Sequence, residues 1–264
     1  MQKDYRTINR EVMTNTYELC KKINSLRDSI LNSTKHQKVI YEKDFLKPSL
    51  ISYDSEIIVS TKRTYEAASF YQGKKVAVLN FANNHSIGGA PYSAGAQEES
   101  LCRCSTLLPC LEVEKDSYYN YHIDLFNRGL LDEYGNDDII YTPGIIVFKT
   151  DESEPKLLPE DEWYSVDVIT CAAPEVKYCY DKERLQEVIH NRIKKILDVA
   201  AFYNVEVLIL GAFGCGAFGN PPELVASTFN DLICHYNFKI VEFAVFTRND
   251  TINYDVFKKI LGNN

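Results

Sequence analysis

The sequence predicts an α/β layered domain built on a largely parallel sheet, and three observations carry that prediction. Six short apolar runs are rich in β-branched residues, and several are continuous rather than alternating, as in strands buried on both faces. Segments with helical spacing lie between them, so strand and helix alternate along the chain. Of the 264 residues, 45% are hydrophobic and 25% charged, the composition of a globular chain able to bury a sizeable core.

Taken in order, NREVMTNTYELCKKINSLRDSIL (9–31) has a helical pattern and opens a stretch, residues 1–50, expected to form a helical extension on a main domain spanning 51–264. Strands are expected at 55–60 (SEIIVS), 75–82 (KVAVLNFA), 144–149 (GIIVFK), 165–173 (SVDVITCAA), 205–213 (VEVLILGAF) and 239–246 (KIVEFAVF). Helices are expected over 64–71, from about Gln97 to Leu107, and over 221–236 and 254–261. The clearest helix covers 181–203, where Leu185, Val188, Ile189, Arg192, Ile193, Ile196, Leu197 and Ala200 recur at helical spacing behind an Asp181 cap. Residues 112–142, dense in Tyr, Asp and Glu, carry little periodicity and read as a long surface excursion. There is no internal repeat.

Charge and cysteine usage narrow the function classes. A net charge of −8 with no Lys/Arg run argues against direct nucleic-acid binding, so an anionic ligand would have to be held by local donors. No stretch reaches the apolar length of a membrane span, and MQKDYRTINR lacks the hydrophobic segment of a signal peptide, so no membrane partner and a cytoplasmic location are expected. The eight cysteines (Cys20, Cys102, Cys104, Cys110, Cys171, Cys179, Cys215, Cys234) form no CxxC pair and read as reduced and mostly buried. Cys102 and Cys104 stand two apart on an expected helix and face different directions, so with His85 and Cys110 they make a poor zinc set; no metal is expected.

Two constellations carry chemistry. GAFGCGAFGNPP (211–222) contains G-x-G-x-x-G, with Gly214, Gly216 and Gly219 in the glycine places, the spelling of a dinucleotide fingerprint. It follows a strand and precedes a helix. It also lies in the last quarter of the chain, and Lys239 stands where an acidic residue is wanted about 20 positions on. The next helix opens Asn220-Pro221-Pro222-Glu223, with Asn220 as expected N-cap, Pro221 at the first helical position and Glu223 at the capping-box position. Two prolines remove two amide donors, so donors must come from the loop: the N–H groups of Gly214, Cys215, Gly216, Ala217 and Phe218 are expected to form an anion nest. Four glycines within nine residues exceed what one tight turn requires.

The second constellation is NFANNHSIGGAPYSAGAQEESLCRCS (80–105). Gly88-Gly89 permits close backbone approach to a ligand, and Gln97-Glu98-Glu99 opens a helix. Adjacent helical residues point about 100° apart, so Glu98 and Glu99 are not an ordinary glycosidase pair flanking one bond. On spacing alone they read equally as favourable charges at a positive helix end.

Together, the ordered set LNFA, GG, AQEESL, IIYTPGIIVF, VITCAAP and LGAFGCGAFGNPPELVASTF resembles the macrodomain-type poly(ADP-ribose) glycohydrolases of the bacterial kind, from about Asn9 to Phe257. The resemblance implies a macrodomain-like three-layer α/β/α fold with a mixed, largely parallel six-stranded sheet, plus the N-terminal extension. It also implies an ADP-ribose cleft at the strand ends, ADP-ribose or ADP-ribosylated protein or polymer as the partner, and no cofactor. Carried over residue by residue, the signature falls on Gly88, Gly89, Gln97, Glu98 and Glu99. Glu99 is then the catalytic acid/base, Glu98 a ligand to the ribose hydroxyls, and Asn80 a contact to the ribose at the scissile bond. Gly214–Asn220 cradles the diphosphate, with Cys215 contributing its amide and Phe218 lying over the distal ribose. Phe246 either stacks on adenine or packs in the core. Three positions depart from the family pattern: Ala90 follows the glycine pair in place of a third glycine, Ser86-Ile87 replaces Asn-Pro, and Glu175 stands where Asn is usual.

Overall fold

The computed structural model describes residues 4–48, 55–177, 180–247 and 250–262. Among these residues, seven strands form one sheet: β1 (Lys38–Ile40), β2 (Glu56–Ser60), β3 (Val76–Ala82), β4 (Ile139–Val147), β5 (Tyr164–Ala172), β6 (Val207–Leu210) and β7 (Ile240–Ala244). Their order across the sheet is β1-β4-β5-β3-β6-β7-β2. β5, β3, β6, β7 and β2 run parallel, whereas β4 is antiparallel to β1 and β5. All six expected strands are present. The seventh, β1, has only three residues, too few to leave an apolar run in the sequence.

Nine α-helices accompany the strands among the described residues: α1 (Tyr5–Lys22), α2 (Asn24–His36), α3 (Thr64–Ser69), α4 (Gln97–Cys104), α5 (Leu107–Val113), α6 (Tyr121–Asn127), α7 (Lys182–Phe202), α8 (Pro222–Ile233) and α9 (Ile252–Leu261). Successive strand residues face opposite sides, so one strand feeds two cores. Ala77 and Leu79 of β3 pack with Leu185 of α7, Phe229 of α8 and Phe257 of α9. Val76 and Val78 pack on the other side with Tyr65 of α3, Leu101 of α4 and Leu107 of α5. The result is a three-layer α/β/α domain, with the core split by the sheet.

The N-terminal helical stretch breaks at Ile23, whose backbone is extended (φ −89°, ψ 121°), so α1 and α2 replace one expected helix. α1 grips the segment leading into α4: Asn9 Nδ2 donates to Ser93 O at 3.2 Å and Ala94 O at 3.0 Å, and Thr16 Oγ1 donates to Arg103 O at 2.6 Å. Residues 49–54 lie outside the described residues, and with them the expected boundary between extension and main domain; so does Cys179.

β4 begins at Ile139 rather than Gly144 and bulges between Thr142 and Ile145. The bulge accommodates Pro143, which lacks an N–H for the ladder. Gly144 uses both of its backbone groups there. Its N–H donates to Asp167 Oδ1 at 3.0 Å, and its carbonyl accepts from Ser29 and Ser33 Oγ, docking α2 onto the sheet.

Residues 112–142 do reach the surface over 123–133, but they are more regular and better anchored than the excursion expected of them. They complete α5, form a π-helix at Lys115–Asn120, run through α6 and enter β4. Tyr118 and Tyr119 are each 1% exposed and His122 is fully buried. The π turn explains the missing pattern: Tyr119 N–H reaches Glu114 O, five residues back, and the wider turn shifts later side chains off the 3.6-residue period.

Candidate active site

A cavity of about 610 Å³ opens at the carboxyl ends of β3, β5, β6 and β7, where open α/β sheets place ligands. Both glutamates of α4 line it. Glu99 Oε1 accepts the Ala90 N–H at 3.1 Å, while its second oxygen is buried with no hydrogen-bond partner among the described residues. Glu98 is held from two sides: Oε2 accepts the Asn83 N–H at 2.9 Å and Oε1 accepts Asn80 Nδ2 at 3.2 Å. Burial pushes the Glu98 carboxyl up to about 8, the hydrogen bonds from Asn83 and Asn80 working against that shift and the Glu99 charge adding to it.

Gly89 is what lets the backbone meet these carboxylates. Its φ is +67°, and a Cβ there would lie 2.5 Å from Glu99 Oε1 and 3.1 Å from Glu98 Oε2. Both glutamates thus converge on one glycine from adjacent positions on a helix. Gly88 serves the core instead. A Cβ at that position would meet Leu108 Cδ1 at 2.8 Å and Cys102 Sγ at 2.9 Å, so Gly88 packs the turn inward and does not line the cavity.

Asn80 is fully buried behind Glu98 and off the cavity wall, donating to Glu98 and to Thr170 Oγ1. Gln97 reaches the wall but spends its amide on the protein. Its Oε1 accepts the Phe81 N–H at 2.9 Å, and its Nε2 donates to Leu79 O at 2.7 Å and Thr64 Oγ1 at 3.1 Å. That pins the start of α4 to β3 and α3.

The glycine loop forms the facing wall through Gly214, Gly216, Ala217 and Phe218. The N–H groups of Gly216, Ala217 and Phe218 donate to no other described residue, whereas the Cys215 N–H closes a turn onto Ala212 O at 3.1 Å. Cys215 is therefore not a free amide donor. Gly219 and Asn220 N–H groups are likewise used inside the loop, on Gly216 O and Gly214 O. Asn220 is not the cap of the next helix. α8 starts at Pro222 with Pro221 before it, and the Asn220 amide instead donates to Pro174 O at 2.8 Å and Gly214 O at 3.1 Å, stapling the loop shut. Gly214 makes room for that staple, since a Cβ there would lie 2.4 Å from Asn220 Nδ2. Gly216 differs: a Cβ there would meet nothing within 4 Å.

Phe246 stands at the other end of the cavity, 47% exposed, with the Arg63 guanidinium 4.0 Å from its ring centroid. Arg63 and Asp151 carry no signal in the sequence. Asp151 accepts the Tyr65 N–H at 2.9 Å and Ser100 Oγ at 2.8 Å, tying α3 to α4, and burial raises its pKa. Asn83 is equally unmarked, yet its N–H holds Glu98 and its side-chain oxygen accepts the His85 and Ser86 N–H groups. Among the described residues no three His, Cys, Asp or Glu side chains gather to hold a metal, and no helix is long and apolar enough to cross a membrane.

A three-layer sheet domain with glutamates at a helix start facing a glycine-loop cradle defines a macrodomain-type protein. The profile of the microbial-type PARG catalytic domain matches residues 7–150, and the chain belongs to that family. It is similar to the poly(ADP-ribose) glycohydrolase of Thermomonospora curvata, with 28% identity and a TM-score of 0.83, over 96% of this chain and 99% of that one. The same enzyme bound to the inhibitor ADP-HPD matches at 28% identity and a TM-score of 0.80, over 95% and 98% of the two chains. The Deinococcus radiodurans poly(ADP-ribose) glycohydrolase in complex with ADP-ribose matches at 25% identity and a TM-score of 0.74, over 88% and 96%. Comparison with curated proteins finds no match.

Proposed function

We propose that this chain is an ADP-ribosyl glycohydrolase of the cytoplasm that cleaves the ribose glycosidic bond of poly- or mono-ADP-ribose conjugates and releases ADP-ribose. The observation that carries the reading is Glu99: one oxygen is fixed by the Ala90 N–H, and the other is unpartnered in the wall of a ligand-sized cavity. Cleavage at an anomeric carbon passes through an oxocarbenium-like state. A fixed carboxyl group beside that carbon stabilises the developing charge and exchanges a proton with the leaving oxygen and the attacking water. Glu99 takes this role. Glu98, its carboxyl raised to about 8, is protonated at neutral pH and so donates to one ribose hydroxyl while accepting from Asn83. Asn80 acts on the ribose through Glu98.

The rest of ADP-ribose is laid along the cavity. The diphosphate meets the N–H groups of Gly216, Ala217 and Phe218, Phe218 covers the distal ribose, and adenine reaches the Phe246 end. Neutral backbone amides of the loop, rather than a cluster of cations, receive the diphosphate. Residues 1–50 serve as an extension that steadies α4 from behind.

The test is release of ADP-ribose from poly(ADP-ribose) and from mono-ADP-ribosylated protein, alongside thermal shifts with ADP-ribose, NAD and ATP. Release is expected, with ADP-ribose the strongest stabiliser. Binding of ADP-ribose with no release from any conjugate would make the chain an ADP-ribose reader instead. NAD stabilising as well as ADP-ribose, without being hydrolysed, would return the glycine loop to a dinucleotide role.

A further inference from the structure

Arg103 stands on α4 four residues beyond Glu99, and both are buried, at 4% and 8% exposure. Residues at that spacing share a helix face, about 6 Å apart along the axis. Both side chains reach the same short segment, residues 90–94. Glu99 Oε1 accepts the N–H of Ala90, which opens the segment, at 3.1 Å. Arg103 Nη1 donates to the carbonyls of Pro91 at 2.9 Å and Ala94 at 2.7 Å. Between these two grips the segment closes on itself, the Ser93 and Ala94 N–H groups both donating to Ala90 O at 2.9 Å. Its amide end therefore meets a carboxyl group and its carbonyl end a guanidinium.

The compensation of this cation is incomplete for its depth. A buried guanidinium is ordinarily matched by a carboxylate, because taking a lone charge out of water is costly. Arg103 takes part in no ion pair among the described residues. Its contacts are main-chain carbonyls, and its Nε is buried with no hydrogen-bond partner among the described residues. Glu99 shows the complementary deficit, with its second oxygen buried and unpartnered. Burial lowers the Arg103 pKa, and among the carboxylates Glu99 opposes that shift most. Opposite charges thus share one helix face, in the order that favours a helical pair, and are joined by a turn whose amides point from one to the other.

We infer that Arg103 is a positioning residue for the glycosidic cleavage, its charge acting through the 90–94 turn to hold the Ala90 N–H on Glu99. The inference rests on the glycohydrolase reading, in which Glu99 works at the anomeric carbon. Closing the turn does not by itself call for a cation. Asn9 Nδ2 of α1 already grips it with a neutral amide, donating to Ser93 O at 3.2 Å and Ala94 O at 3.0 Å. What Arg103 adds is positive charge at the carbonyl end, which polarises the amides of the turn toward the carboxyl group at the other.

Arg103→Lys keeps the charge and Arg103→Gln keeps a neutral donor, so the pair separates charge from hydrogen bonding. Each is measured alone and together with Glu99→Gln, for release of ADP-ribose from poly(ADP-ribose) and for ADP-ribose binding. Arg103→Gln should lower kcat by about 10²-fold, the effect of a small misplacement near the chemistry, with the Kd for ADP-ribose within about threefold of wild type. Arg103→Lys should recover roughly tenfold of that loss, the difference between a charged and a neutral donor. With Glu99→Gln already present, either substitution should change the residual release by less than about twofold, because nothing is left for Arg103 to position. Asn9→Ala should cost less turnover than Arg103→Gln. The positioning role falls if Gln serves as well as Lys, if the losses multiply in the Glu99→Gln background, if ADP-ribose affinity drops as far as turnover, or if Asn9→Ala is equally damaging. It falls too if both Arg103 variants lose the native melting transition, which would make the residue a determinant of folding. A wild type that releases no ADP-ribose overturns the glycohydrolase reading instead, and unfolding of the single and double variants then still reports whether Arg103 and Glu99 are coupled.

Discussion

The backbone N–H of Ala90 donates to Glu99 Oε1 at 3.1 Å, so the residue that departs from the family's glycine run contributes through its main chain. Its methyl group leaves this bond intact. The geometry of the Glu99 carboxyl therefore depends on the 86–90 turn, which Gly89 shapes, as well as on α4.

Replacing Glu99 by Gln should separate binding from chemistry. The amide keeps the size and an acceptor for Ala90 N–H but has no proton to exchange. ADP-ribose affinity should change by less than about threefold, and release of ADP-ribose should fall by about 10²–10⁴-fold, the usual contribution of general acid–base catalysis. Undiminished turnover would move the catalytic role elsewhere.

Gly216 and Gly89 should fail in different ways. At Gly216 a side chain meets no part of the protein, so Gly216→Val should leave the melting temperature nearly unchanged and weaken ADP-ribose binding by filling the cradle. At Gly89 the added carbon collides with Glu99 Oε1 on a backbone of φ +67°, so Gly89→Ala should lower both stability and turnover. Calorimetry on the two variants, apo and with ADP-ribose, distinguishes the cases; a normal ADP-ribose affinity in Gly216→Val would remove the loop from the binding site.

Glu98 should make the fold sensitive to alkali. Its folded carboxyl is raised from 4.5 to about 8, so the native state holds a proton that the unfolded chain releases. The associated stability is complete below about pH 4.5 and is lost as pH rises through about 8. Urea unfolding should show the difference between wild type and Glu98→Gln widening from pH 6 to pH 9 in favour of the variant. Asn80 can accommodate the new amide by turning its unpartnered Oδ1 toward it. A pH-independent difference would refute the raised carboxyl.

At the far end of the cavity, Phe246→Ala should raise the Kd for ADP-ribose by roughly 5- to 100-fold, the range for loss of one base stack, with little change in kcat. ADP-ribose affinity that ignores this substitution would leave Phe246 as a partner of Arg63 alone.

Chelation by EDTA should leave both fold and turnover intact, because the chemistry assigned to Glu99 requires no metal. Loss of activity with EDTA and its return with zinc or magnesium would contradict the mechanism.

The sequence alone determined the alternation of strands and helices, because continuous apolar runs and the 3.6-residue pattern of α7 record burial directly along the chain. Asp181 is the cap it was expected to be, its carboxylate accepting the Arg184 N–H at 2.8 Å. The glycine loop and the Gln97-Glu98-Glu99 start of α4 were legible as constellations, since close approach and helix starts restrict residue choice locally. Only the tertiary structure decided how those residues divide their work. Asn80 and Gln97 turn out to hold other parts of the protein, Cys215 and Asn220 close their own loop, and Gly216 alone of the loop's glycines faces open space. The helical course of residues 115–127 and the positions of Arg63, Asp151 and Asn83 were also hidden. The physical reason is common to all of them. A hydrogen bond to a backbone group, a π turn or a carboxylate's solvation depends on which segments the fold brings within about 3 Å, and no periodicity along the chain encodes that distance.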